Sequence, residues 1–388
     1  MKYALSGMMR FTAAALCLFC TLSVFCSAKA AKTDVIITNS AKAYLLADAP
    51  SMQPIVEFNS QEPVDAAGLS RLPALLIICE SVDKGEILPD SMIRVSDNAA
   101  SIKGPTAFLE ANENISVQQL LKSAVMISAG DSTYALAQHL SGTEQAFVQK
   151  MNARLSELGI NKEYSRIIDS NIKLSANDLA VIGKELMKSP SFTMYSNVYM
   201  DDLTHEDARY TELVNPNKMI NTYAGCFGLS TGSSSGAGYC GVFCAKRGES
   251  VMLCVVAGAN NSKERFAIAS ELLDYGFANY KSEVLLNEGD VAVENIEVKG
   301  GTQRYINLVA KKDAALLLNK NENAPEAKIN VPEYLTAPIR AGETLGTLDY
   351  FDANGNTVMS VELVSQVSVE QAGIADYFMM VLMNWVRM

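Results

Sequence analysis

The chain has 388 residues, 49% hydrophobic and 19% charged, which excludes a disordered chain and leaves room for two or three domains around a sizeable core. The first thirty residues hold three of the 32 basic side chains and no acidic one, so without them 29 basic groups face 43 acidic ones and the net charge is −14. That balance speaks against nucleic acid as a partner, and only His139 and His205 are available for a histidine metal site or a Ser-His-Asp triad.

Lys2 and Arg10 flank the start of the chain, and the apolar "FTAAALCLFCTLSVFC" leads to a small-x-small site at Ala28-Lys29-Ala30. This pattern predicts a secretory signal peptide over residues 1–30, cut after Ala30, and therefore an exported protein. A retained membrane anchor is the alternative, disfavoured because the apolar stretch is short for a span. Phe25 before Cys26 argues against lipoprotein processing. Cys79, Cys226, Cys240, Cys244 and Cys254 follow the leader, an odd count that is no complete disulfide framework. They read as small buried thiols, with a Cys226–Cys240 cross-strand bridge as the second possibility.

Residues 31–281 mix strands and helices. "VIITNSAKAYLLADA" opens as a strand, and "SRLPALLIICE", "SVQQLLKSAVMIS" and "DSTYALAQHL" follow as helices. "TEQAFVQKMNARLSELGI" places Phe147, Met151, Leu155 and Leu158 on one helical face and ends at Gly159. "GVFCAKRGESVMLCVVAGA" predicts a hairpin turning at Arg247-Gly248-Glu249, and "SKERFAIASELLDYGF" a closing amphipathic helix.

Residues 282–366 change texture to short strands and turns, with "DANGN" marking a hairpin reversal, which predicts an all-β module. Residues 367–388 are helical in pattern. Glu370, Asp376, Asn384 and Arg387 share one sector, and Phe378, Leu382 and Trp385 lie on a wide apolar face. The apolar run from Tyr377 to Met383 is too short to span a bilayer, so the expectation is a helix lying in the membrane surface, with packing on the protein's own β module as the alternative.

"CFGLSTGSSSGAGYC", residues 226–240, is a hairpin-like turn between apolar stretches, and its Ser230-Thr231-Gly232 carries no charge. Around it stand Asn215-Pro216-Asn217-Lys218, Ala237-Gly238-Tyr239-Cys240 and Leu272-Leu273-Asp274-Tyr275-Gly276-Phe277. This succession closely resembles the penicillin-binding D-alanyl-D-alanine carboxypeptidases of the S11 peptidase family. "SAGDSTYALAQHLSG" and "FVQKMNARLSELGI" are similar to that family's central helices, and "APIRAGETLGTL" to its C-terminal β domain. The resemblance implies an α/β fold of the β-lactamase/transpeptidase kind, a five-stranded antiparallel sheet flanked by helices. A small β domain and a membrane-associating amphipathic helix are implied to follow. Neither a metal nor an organic cofactor is implied.

In that family, Ser-x-x-Lys supplies a nucleophile and a base one helical turn on, Ser-x-Asn relays protons, and Lys-Thr-Gly lines the far wall. Alignment through Glu80 puts Gly68 at the nucleophile and Arg71 at the lysine. Glycine has no hydroxyl, and arginine does not deprotonate near neutral pH. Ser128-Ala129-Gly130 lacks the asparagine amide, and Ser230-Thr231-Gly232 lacks the lysine. Pro73 fits only the first turn of a helix, so the helix is expected to begin near Arg71 with Ser70 as N-cap and Gly68 in the preceding loop. Ser81-Val82-Asp83-Lys84 satisfies Ser-x-x-Lys as text but falls at the helix exit, and Pro73 stands where a lysine partner of Ser70 would be.

Three requirements fail together, which predicts a non-catalytic relative at the cell wall that binds peptidoglycan stem peptides or a wall-synthesis protein. Arg71, Ser128, Ser230, Thr231 and Ser233 are its candidate binding residues, Arg71 as a carboxylate-binding cation. The alternatives are an active D-Ala-D-Ala carboxypeptidase with rewired residues, and an interaction protein with a vestigial cleft. The expected location is the extracytoplasmic face of the membrane.

Overall fold

The computed structural model describes residues 41–376 and 378. The expected leader and the apolar run at 35–38 lie outside the described residues. Half of the expected helix over 367–388 lies outside them too; of its described residues 374–376 and 378 are helical, whereas 367–373 are not, because Val369 and Gln371 form β-bridges to Ile339 and Gly301.

Strands β1 (Ala43–Asp48) and β2 (Pro54–Phe58) come first. Helices α1 (Leu72–Asp83), α2 (Val117–Ile127), α3 (Gly130–Ser141), α4 (Glu144–Glu157) and α5 (Ala176–Lys188) follow. Strands β3 (Cys226–Ser234), β4 (Gly238–Arg247) and β5 (Ser250–Ala259) and helix α6 (Ser262–Asn279) complete the region. The strands form one antiparallel sheet in the order β2-β1-β5-β4-β3. β5 is central because "SVMLCVVAGA" is apolar at successive positions and is buried from Met252 to Ala259, as a strand covered on both faces must be. Phe243, Met252, Cys254 and Val256 share a core with Ile268, Leu272, Leu273 and Phe277 of α6. Val242, Leu253 and Val255 turn to the opposite face, into the core of α1–α5 with Leu76, Leu120, Leu179 and Ile182.

Several helices start behind side-chain caps. Ser116 accepts the Gln119 N–H at 3.3 Å ahead of α2, and Asn261 accepts the Glu264 N–H at 2.9 Å ahead of α6. Ser175 and Asp178 bond reciprocally at the head of α5. The hairpin predicted at Arg247-Gly248-Glu249 joins β4 to β5.

From Tyr280 to Gln371 the chain is all β. A six-stranded sheet holds Val291–Lys299, Tyr305–Ala310, Glu326–Asn330, Tyr334–Thr336, Thr344–Phe351 and Thr357–Ser365, around a core that includes Ile296, Leu308, Leu348 and Leu363. The reversal predicted at "DANGN" joins its Thr344–Phe351 and Thr357–Ser365 strands. Tyr280–Leu286 pairs separately with Ala314–Asn319. Asp48, fully buried at the end of β1, accepts bonds from the Ser51 and Ser282 hydroxyls. The Ser282 N–H donates in turn to Ser250 Oγ at 3.0 Å, which stitches the β module to the sheet.

Two local expectations need correction. Helix α1 begins at Leu72 with Pro73 in its first turn, but its N-cap is Arg71 rather than Ser70, and no side chain caps it. Gly68 lies not in an open loop but in a 3-10 turn, Ala67–Arg71, which runs directly into the helix. The Ser70 carbonyl is taken by the buried Tyr164 hydroxyl at 2.9 Å. The Cys226–Cys240 bridge is also absent, because register sets Cys240 opposite Gly232 and Cys226 opposite Ala245. All five thiols are free, four of them buried.

Candidate active site

Three segments converge at one edge of the sheet: the 3-10 turn leading into α1, the α2–α3 turn, and strand β3. Helix α2 ends at Ser128 in the left-handed conformation (φ 54°, ψ 42°), which turns the chain sharply into α3. The Ser128 hydroxyl is thereby brought 3.2 Å from the Ser230 hydroxyl on β3, and the two share a hydrogen bond. Ser128, Ser230 and Thr231 are all buried, whereas Ser233, farther along β3, is exposed. The sequence-predicted residues of the three motifs thus do come together, apart from Ser233 at the rim.

Arg71 is 7% exposed, and its guanidinium donates to the Ser128 carbonyl at 2.5 Å. Burial pulls its pKa below the usual arginine value, opposed in part by the charge of Asp131. Side-chain-free positions surround it. A Cβ on Gly130 would stand 3.5 Å from its Cζ, and a Cβ on Gly104 3.3 Å from its Nη2. The same Gly130 Cβ would meet Ile102 Cγ2 at 2.8 Å. Arg71 and Ile102 therefore occupy the space that a side chain at position 130 would need.

Strand β3 runs close against the 3-10 turn at the nucleophile position. A Cβ on Gly232 would lie 2.7 Å from the Gly68 nitrogen and 3.0 Å from its Cα, so β3 and the 3-10 turn touch where two glycines face each other. Arg265, on α6, braces this contact from behind. It is 4% exposed and donates to the Gly232 carbonyl at 3.2 Å and to the Cys240 carbonyl at 3.0 Å, with the Phe266 ring 4.5 Å from its Cζ. Burial lowers its pKa to about 10. Sequence reasoning missed Arg265, although its spacing from Ile268, Ala269 and Leu272 places it on the buried face of α6.

Asp131, buried beside Gly130, accepts the N–H groups of Ala107 and Leu109 at 3.0 and 3.2 Å. It anchors the 101–112 loop over the site. Ser81 lies ten residues along from Arg71, about 15 Å away at helical rise, so the second Ser-x-x-Lys pattern is remote from the cleft. Among the described residues no cluster of three or more His, Cys, Asp or Glu side chains could hold a metal ion. The assembled groups can donate hydrogen bonds and present a cation. Among them, the Ser128 and Ser230 hydroxyls are bonded to each other rather than to a basic side chain.

An antiparallel sheet between one helix and a helical cluster, with the candidate site at its edge strand, is the fold shared with solved penicillin-binding proteins. The family model for D-alanyl-D-alanine carboxypeptidase matches residues 27–261, and that for the penicillin-binding protein 5 C-terminal domain matches residues 280–371. Among curated relatives, D-alanyl-D-alanine carboxypeptidase DacF of Bacillus subtilis is 30% identical over 357 residues, covering 90% of this chain and 91% of that one. DacC of Escherichia coli is 25% identical over 366 residues, covering 89% of each. Penicillin binding protein 5 of Haemophilus influenzae superposes with a TM-score of 0.71 at 25% identity, over 86% of this chain and 98% of that one. The chain belongs to the D-alanyl-D-alanine carboxypeptidase family, peptidase S11.

Proposed function

We propose that this chain is a non-catalytic member of its family, exported to the cell wall, where it holds peptidoglycan stem peptides without cleaving them. The observation that carries this reading is the state of the nucleophile position. Gly68 meets Gly232 backbone to backbone, and the Ser128 and Ser230 hydroxyls are bonded to each other. Arg71, where a base would stand, holds its proton throughout the physiological range. In serine hydrolases, loss of the nucleophile or of its base costs on the order of 10^6 in kcat. Both are missing here. Family membership supports the extracytoplasmic location and the class of ligand.

The test is intact-mass analysis of the full chain in detergent after incubation with a fluorescent penicillin. An unmodified mass from folded protein is the expected result. A stoichiometric adduct would overturn the reading, and peptide mapping would then name the serine responsible.

A further inference from the structure

We propose that the pocket at the end of α6 binds the phosphate group of a small phosphate ester, held by Arg247, Lys320 and Ser250. These residues line one cavity of about 440 Å3 together with Asp274, Phe277, Ala278 and Tyr280. The pocket lies apart from the cleft at Ser128 and Ser230. Asp274 stands about 13.5 Å along α6 from Arg265, which backs that cleft, at helical rise. The proposal is therefore independent of how the cleft is read.

Arg247 ends β4 and packs against two rings, its Cζ 4.9 Å from the Tyr223 centroid and 4.7 Å from that of Phe277. These contacts hold the guanidinium in place before any ligand arrives. Nη2 donates to Asp274 Oδ1 at 3.0 Å, an oxygen that also accepts the Tyr223 hydroxyl at 2.7 Å. Nε and Nη1 bond no acceptor among the described residues, and the side chain is 41% exposed. Lys320 is exposed and forms no ion pair among the described residues. Ser250 Oγ accepts the Ser282 N–H at 3.0 Å, which leaves its own proton to donate. Two cations thus face one carboxylate across the pocket. The end of α6 does not repel an anion strongly, because the Tyr275, Gly276 and Asn279 carbonyls accept the Asn279 amide, the Tyr280 N–H and the Lys320 N–H. Donors from three separate segments suit a tetrahedral oxyanion better than a planar carboxylate, which one guanidinium edge satisfies. The cavity is of small-molecule size, and Phe277, Ala278 and Tyr280 give the carbon part of an ester a wall to lie on.

Titration calorimetry of the full chain in detergent with glycerol 3-phosphate, inorganic phosphate and acetate, at constant ionic strength, tests the proposal. One equivalent of glycerol 3-phosphate should bind, more tightly than inorganic phosphate, and acetate should bind at least about tenfold more weakly than either. Arg247→Gln and Lys320→Ala should each weaken the ester by about tenfold, since each removes a charge-assisted bond. Asp274→Asn, whose amide oxygen can still accept from Tyr223 and Arg247, should tighten it by removing the one negative charge in the pocket. Lys328→Ala, which deletes an exposed charge elsewhere in the β module, should leave it unchanged. Lys320→Ala and Asp274→Asn carry the test should Arg247→Gln fail to fold. No binding of either phosphate, or an equal loss with Lys328→Ala, overturns the site. Acetate binding as tightly as phosphate overturns the phosphate assignment, and inorganic phosphate binding more tightly than the ester overturns the choice of an ester.

Discussion

Arg71 and Gly130 fit each other: the guanidinium carbon lies 3.5 Å from the point where a Gly130 Cβ would stand, and Ile102 closes the remaining space at 2.8 Å. The absence of a side chain at 130 and the presence of a large one at 71 are two aspects of one packing arrangement. Gly130→Asn should therefore overpack the α2–α3 turn and cost about 1–3 kcal/mol. Ile102→Ala in the same chain should recover part of that loss, a coupling of about 0.5 kcal/mol or more. Denaturant titration of the two single variants and the double variant measures it, and strict additivity would refute the packing relationship.

At the facing glycines the two sides are unequal. A Cβ on Gly68 would meet Gly232 Cα at an ordinary 3.6 Å, whereas a Cβ on Gly232 would collide with the Gly68 nitrogen at 2.7 Å. Gly68→Ser should fold nearly as well as the parent and still form no penicillin adduct, because its hydroxyl has no base. Gly232→Ala should lose about 1–3 kcal/mol. An adduct on Gly68→Ser would show that a base other than a lysine serves there.

The free thiols define an alkaline limit. Burial raises Cys79 to about 12 and Cys226 to about 11 from an ordinary 9.0, and also raises Cys240, Cys244 and Cys254. Above pH 9 the unfolded chain releases thiol protons that the folded chain retains, so the unfolded state binds fewer protons and stability falls as pH rises. Their contribution is fully present below pH 9 and declines through pH 11 to 12. Denaturation midpoints at pH 8 and pH 10 should show the drop. In the folded protein at pH 8, iodoacetamide should label Cys226, the one thiol among the described residues not fully buried, ahead of Cys79, Cys240, Cys244 and Cys254.

Ser282 joins the two regions through Asp48. Ser282→Ala removes one of the hydroxyls that satisfy a fully buried carboxylate, at a cost of about 1–3 kcal/mol. Limited proteolysis should then cut faster near residues 279–282, where α6 passes into the β module. Unchanged cleavage there would mean that the junction does not depend on this bond.

Much of the fold was legible because apolar spacing matches burial. "GVFCAKRGESVMLCVVAGA" does form a hairpin, Phe147, Met151 and Leu155 do face the core, and Pro73 correctly placed the start of α1. The hairpin of Met200–Thr204 and Tyr210–Val214 was illegible because only Leu203 and Leu213 are buried within it. Cysteine pairing was illegible because it depends on the β3–β4 register, which spacing along the chain does not reveal. At the site, residue types told what was missing, but not that Arg71 fills the vacated volume or that Arg265 braces the far strand. Those are contacts between segments more than fifty residues apart, or across the sheet, and no local pattern encodes them.

The interlock of Arg71, Ile102 and Gly130 works as a ratchet. Once a guanidinium and an isoleucine pack into the volume of a lost amide, restoring the asparagine strains the turn while providing no base. Exchanging the arginine for lysine opens a void while providing no nucleophile. On the non-catalytic reading proposed above, a lineage with this arrangement would have to pass through several less stable steps, none of them rewarded by turnover, before hydrolysis could arise.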